Sequence, residues 1–116
     1  MVTGDIMVNV AVQDRYVEAL SLMGNLDVAV NSALQRYTID QIINKISALR
    51  RTENEYRQKY GMGYAEFVEK TAVDEQFVTQ VEREISKTWE IDLADWEFCH
   101  RGIEDWTQKL QSISMM

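Results

Sequence analysis

A mostly α protein with one short N-terminal strand is the expected fold, and three observations carry it. Proline is absent from all 116 residues, apolar positions recur at helical spacing over most of the chain, and period-two alternation occurs clearly only at 6–12. Proline breaks helices and average usage would supply about 5% of it, so its absence suits long helices and disfavours a loop-rich all-β chain. In the first segment Ile6, Val8, Val10 and Val12 share one face while Met7, Asn9 and Ala11 share the other, as in a β-strand. Asp14 is placed to cap a short helix bearing Tyr16, Val17, Leu20 and Met23, and Gly24 is its expected left-handed stop. Asp27 is the expected cap of a second helix that carries Val30, Ala33, Leu34 and Tyr37. It continues through Ile39, Ile42, Ile43, Ile46 and Leu49 with no breaker before Gly61. At 1.5 Å per residue this helix would span about 50 Å, too far for a ten-residue helix and a strand to cover, so its far end should pack on the second half or on another copy.

Beyond Gly61 a helix is expected from near Gly63, with Tyr64, Phe67 and Val68 on one side. Val73, Phe77, Val81 and Ile85 form a further helix stripe whose acids Glu75, Glu82 and Glu84 would face water or a basic partner. In the tail, Trp96, Cys99, Ile103, Trp106, Leu110 and Ile113 recur at spacings of 3, 4, 3, 4 and 3, an apolar seam that one helix cannot bury alone. Either the long helix covers it, as an intramolecular hairpin or bundle, or a foreign protein does. Trp89 lies outside the seam and is the tryptophan expected at a partner contact.

Charge divides the chain more sharply than hydropathy does. Acids and bases balance at 7 and 7 over 1–60, whereas 61–116 holds 12 acids and 5 bases, and so all of the net −7. Two parts are therefore expected: a strand–helix–long-helix module over 1–60 and an acidic helical half over 61–116. The acidic half is either a solvated surface or one whose field attracts a basic partner. No run of eighteen apolar residues is present, so no transmembrane segment is expected. With a lone Cys99 and no basic N-terminal region leading into a long apolar core, the expected compartment is the cytoplasm.

A solitary strand leaves its backbone groups unpaired, so the expected solution is a homodimer in which two copies pair Ile6, Val8, Val10 and Val12 as an antiparallel ribbon. Strand, short helix, Gly-containing turn and long helix over 6–37, with the run Asp27-Val28-Ala29-Val30-Asn31-Ser32-Ala33-Leu34-Gln35-Arg36-Tyr37, resemble the ribbon-helix-helix family of dimeric DNA-binding proteins. That resemblance implies a ribbon in the major groove, with Met7, Asn9 and Ala11 toward the bases and the backbone at Leu26, Asp27 and Val28 holding a phosphate. Of the three outward residues only Asn9 can hydrogen-bond to a base edge. The basic set Arg36, Lys45, Arg50, Arg51, Arg57 and Lys59 on the long helix is either a solvated face or a phosphate contact.

The segment Lys59-Tyr60-Gly61-Met62-Gly63-Tyr64-Ala65-Glu66-Phe67 and the tail around Trp89-Glu90-Ile91-Asp92 and Asp95-Trp96-Glu97 resemble prokaryotic antitoxins. The implied function is that of an antitoxin in a toxin–antitoxin pair, neutralising a small basic toxin through the acidic half and repressing its own operator through the ribbon. The implied toxin-contacting residues are Tyr64, Phe67, Trp89, Asp92, Asp95, Trp96 and His100. The alternative is a helical homodimeric interaction or assembly protein that does not read DNA. No catalytic, metal or cofactor site is expected. A phosphate-binding loop and a His-Glu-x-x-His run are missing, and the neighbours Cys99 and His100 would point about 100° apart on a helix.

Overall fold

The computed structural model describes residues 6–114. Five helices follow one another: α1 (Asp14–Leu22), α2 (Leu26–Tyr60), α3 (Tyr64–Val73), α4 (Glu75–Glu84) and α5 (Trp89–Ser114). The mostly α expectation holds, but no strand occurs among the described residues, and 6–13 has no regular secondary structure. The expected ribbon of Ile6, Val8, Val10 and Val12 is thereby corrected. Apolar alternation belongs to one segment, whereas a strand needs a second segment to complete its ladder, and the described residues supply none. Met7, Asn9 and Ala11 consequently have no ribbon face from which to read bases.

Two compact units divide the chain, one up to Tyr37 and the other from Thr38. In the first, Gln13 rather than Asp14 is the N-cap of α1, and its side chain makes no capping bond. Asp14 sits instead in the first turn, where its charge meets the positive end of the helix dipole. Gly24 makes the turn at φ 143°, which side-chain-bearing residues rarely adopt. Asn25 is the residue that caps α2, its Oδ1 accepting from the Val28 N–H at 3.1 Å, so the expected cap Asp27 is moved into the first turn. None of 6–37 is buried.

The second unit holds the core. Helix α2 runs unbroken to Tyr60 and stops where Gly61 turns left-handed at φ 72°, its N–H returning to the Arg57 carbonyl at 2.8 Å. The expected stripe Val73, Phe77, Val81 and Ile85 is broken at Asp74, which closes α3 and opens α4. Its Oδ1 accepts from the N–H groups of Gln76 and Phe77 at 3.1 Å each. A short carboxylate that offers the backbone its own acceptor competes with helix continuation, which spacing alone does not reveal. As a result Val81 is buried and Phe77 half-buried, while Val73 and Ile85 remain exposed.

The α5 seam lies against α2 in antiparallel register: Lys45 over the Trp106 ring, Leu49 beside Gly102, Glu53 on His100, Tyr56 on Trp96, and Tyr60 on Asp92. The intramolecular hairpin is thus the arrangement found. Trp96 and Cys99 are buried and Ile103, Trp106, Leu110 and Ile113 half-buried. A Cβ at Gly102 would stand 2.9 Å from Leu49 Cδ1, the end of a flexible side chain. Gly102→Ala should leave the urea midpoint almost unchanged, because a gain in helix propensity of about 1 kcal/mol offsets the shift of Leu49. Gly102→Leu should lower stability by about 1–3 kcal/mol through overpacking, and Leu49→Ala in the same chain should recover part of that loss.

Candidate functional site

Packing of α3, α4 and α5 on the end of α2 encloses an aromatic cluster. Tyr60, Phe67, Val81 and Trp96 are buried there, with Tyr56, Met62, Tyr64, Phe77, Trp89 and Leu93 packed around them. The Trp96 indole stacks on Tyr56, Tyr60 and Phe67 with centroids 5.7, 6.2 and 5.5 Å away and meets the Tyr64 ring edge-on at 5.8 Å. Such ring pairs add about 0.5–1.5 kcal/mol each beyond the area they bury. Trp96 Nε1 is buried among them with no hydrogen-bond partner among the described residues, a cost of about 1–3 kcal/mol.

Around this cluster the carboxylates of α5 meet donors from other helices. Tyr60 Oη donates to Asp92 Oδ2 at 2.5 Å, and Lys59 Nζ reaches the same oxygen at 2.6 Å. Tyr56 Oη donates to Asp95 Oδ2 at 2.6 Å, and Tyr64 Oη to Glu97 Oε1 at 3.5 Å. His100 stacks on Tyr64 at 4.6 Å while its Nδ1 lies 2.8 Å from Glu53 Oε2. Burial and the bond to Asp92 push the Tyr60 phenol up; the Asp95 bond, then burial, do the same for Tyr56; burial and Glu97 raise Tyr64. Burial acts to raise the Asp92 carboxyl, but the hydrogen bonds from Lys59 and Tyr60 outweigh it and hold the group below its ordinary range.

Among the expected toxin-contacting residues, Phe67 and Trp96 are therefore enclosed in the core, and Asp92 and Asp95 are occupied by tyrosines of α2. His100 is half-buried against Glu53. Tyr64 and Trp89 remain at the surface, as the two aromatic walls of an open groove between α3 and α5. Val68, Leu93 and Ala94 complete its apolar lining, Glu90 and Glu97 line it as well, and its volume is about 340 Å³. Leu93, Ala94, Glu90 and Val68 were not among the expected contacts, nor were Ile91 and Phe98, which stand 69% and 68% exposed on the outer face of α5. The 3- and 4-residue spacing of Ile91, Ala94 and Phe98 was the available signal: it marks an apolar strip opposite the Trp96 seam.

At the N-terminal end, the expected base-facing residues Met7, Asn9 and Ala11 are exposed, as are Ile6, Val8, Val10 and Val12. Leu26 is half-buried and Asp27 and Val28 are exposed, with the Val28 amide already satisfied by Asn25. Cys99 is buried, and burial pushes its thiol up, away from the thiolate that nucleophilic or metal chemistry needs. No group of three or more His, Cys, Asp or Glu among the described residues is placed to hold a metal ion. No helix among them is long and apolar enough to cross a membrane. Compared with protein families, with curated proteins and with solved structures, the chain matches none.

The three raised phenols fix the sign of the alkaline response. A folded-state value above the ordinary 10.0 contributes stability that is complete below pH 10 and is lost as pH rises through the folded value. Asp92, held below its ordinary 3.8, contributes stability present above that value and lost as pH falls through the folded one. In a phenolate absorbance titration, the late-ionising tyrosines should appear together with the loss of helical circular dichroism. Tyr60→Phe should lower stability by about 0.5–2 kcal/mol and remove one late tyrosine from that titration.

Proposed function

We propose that this protein works by binding other proteins and not by catalysis, and that residues 6–37 pair it with a second copy of itself. One observation carries the reading: nothing in 6–37 is buried, yet Ile6, Met7, Val8, Val10, Leu22 and Met23 each leave 77% or more of their surface to solvent. A segment that exposes its apolar side chains so fully gains most by laying them on another surface. Charge favours a second copy there. This segment carries three acids, Asp14, Glu18 and Asp27, against Arg15 and Arg36, whereas two copies meeting through 61–116 would oppose two strongly acidic surfaces. The pairing is through side chains and involves no β ribbon.

Sedimentation equilibrium of the full chain should give twice the chain mass, and Leu22→Glu with Leu34→Glu should return it to the monomer. Both side chains are exposed in the single chain, so its helical circular dichroism should persist. A wild-type monomer at micromolar concentration would refute the pairing.

A second reading has one observation in its favour: the acidic surface of 61–116, where Glu69, Glu90 and Asp105 are exposed and hold no ion pair among the described residues. Such a field suits the antitoxin of a toxin–antitoxin pair that holds a small basic toxin, without the operator-reading ribbon. Co-expression with the neighbouring reading frames should then co-purify a small basic protein at fixed stoichiometry, identified by intact mass at moderate salt. A clean homodimer would dismiss the antitoxin reading and leave the assembly reading in place.

A further inference from the structure

We infer that the groove between α3 and α5 is a docking site for a cationic amphipathic helix of a partner protein. The inference rests on the reading of 61–116 as a partner-binding half and adds the place and the chemistry of the contact. The lining is apolar where a helix would lay its nonpolar residues, at Val68, Leu93 and Ala94, and aromatic at Tyr64 and Trp89. Two carboxylates, Glu90 and Glu97, and no lysine or arginine are among its lining residues, so lysine or arginine stems can lie on the apolar lining while their heads meet charge or a ring face.

Both aromatic walls are held in place before any partner arrives. Trp89 Nε1 donates to Glu82 Oε2 at 3.0 Å, and the Tyr64 ring is stacked on His100 with its hydroxyl on Glu97. A wall already ordered loses little freedom on binding. The two carboxylates differ. Glu97 is shared with Tyr64 and with Arg101, whose guanidinium lies 3.1 Å away, whereas Glu90 is exposed and without an ion-pair partner among the described residues. Glu90 is thus the carboxylate available to an incoming cation. Ala94 links the groove to the exposed Ile91 and Phe98, so the apolar surface continues onto the outer face of α5.

The probe is a short synthetic amphipathic helix of leucine and lysine, with a glutamate-for-lysine version as control, titrated into the full-length protein and followed by backbone amide shifts. The lysine peptide should shift Tyr64, Val68, Glu90, Leu93 and Ala94, and the glutamate peptide should not. Ala94→Arg, which puts bulk and a like charge in the groove from an exposed position, should weaken binding by on the order of tenfold or more, and Glu90→Lys should act in the same direction. Shifts spread over Glu69, Glu75 and Asp105, or equal binding by the Ala94→Arg variant, would overturn the inference in favour of a general acidic field.

Failure of the groove and failure of the underlying reading are separable. A partner that still co-purifies with Ala94→Arg refutes the groove alone. A lysine peptide that seats in the groove when no toxin co-purifies supports the groove while the toxin reading falls.

Discussion

Asp92 and Asp95 lie on α5 in the turn before Trp96, and α2 meets both with tyrosine hydroxyls. The second unit depends on that pairing. An acid-rich helix lies along another helix at less cost when the carboxylates nearest that neighbour are hydrogen-bonded, because Asp92 is partly withdrawn from water and even partial desolvation of a charge is unfavourable. Tyrosine meets the need in one side chain, since its ring extends the aromatic core while its hydroxyl reaches the carboxylate. Tyr56 and Tyr60 each do both, stacking on Trp96 and donating to Asp95 and Asp92. Lys59 adds a formal charge to one of the two rungs.

The two units contrast in what they bury. From Thr38 onward, α2 contributes Ile42, Ile46 and Tyr60 to the interior, and α3, α4 and α5 add Phe67, Val81, Trp96 and Cys99. Before Thr38, helices form with good local signals, an Asn25 cap and a Gly24 turn, yet enclose nothing fully. Capping and propensity are local terms, worth about a kcal/mol apiece, and stable helices in proteins draw most of their stability from tertiary packing. A segment with the first and without the second lacks the larger of the two contributions.

Helix ends were legible at the glycines: Gly24 and Gly61 ended helices where expected, and the long run to Tyr60 is unbroken, whereas the break at Asp74 was not foreseen. The α5 seam was legible too, as a repeat of 3 and 4, although only the structure decides that α2 covers it. The other features that escaped depend on residues distant in sequence. Asp92 and Asp95 read as free acids because their donors lie 32 and 39 residues away. Trp96 answered both to the description of a core residue on the seam and to that of a binding anchor, and its complete burial separates them. The strand failed for a related reason, since alternation marks a segment able to pair without showing what it pairs with. Caps fell between these cases: Asn25 and Asp27 both have the right chemistry at the right place, and a two-residue difference in helix start selects Asn25.

Phenol-to-carboxylate rungs also decide how the protein responds to ionic strength. Interactions between exposed charges fade as salt shortens their reach, to about 3 Å at 1 M, whereas a short bond from a neutral donor on a partly enclosed ring is screened far less. The hairpin between α2 and α5 therefore includes links that persist in salt, while exposed ion pairs such as Arg101 with Glu97 are the ones that salt weakens. Raising the ionic strength thus loosens the outer surface of α5 before it loosens the contact of α5 with α2.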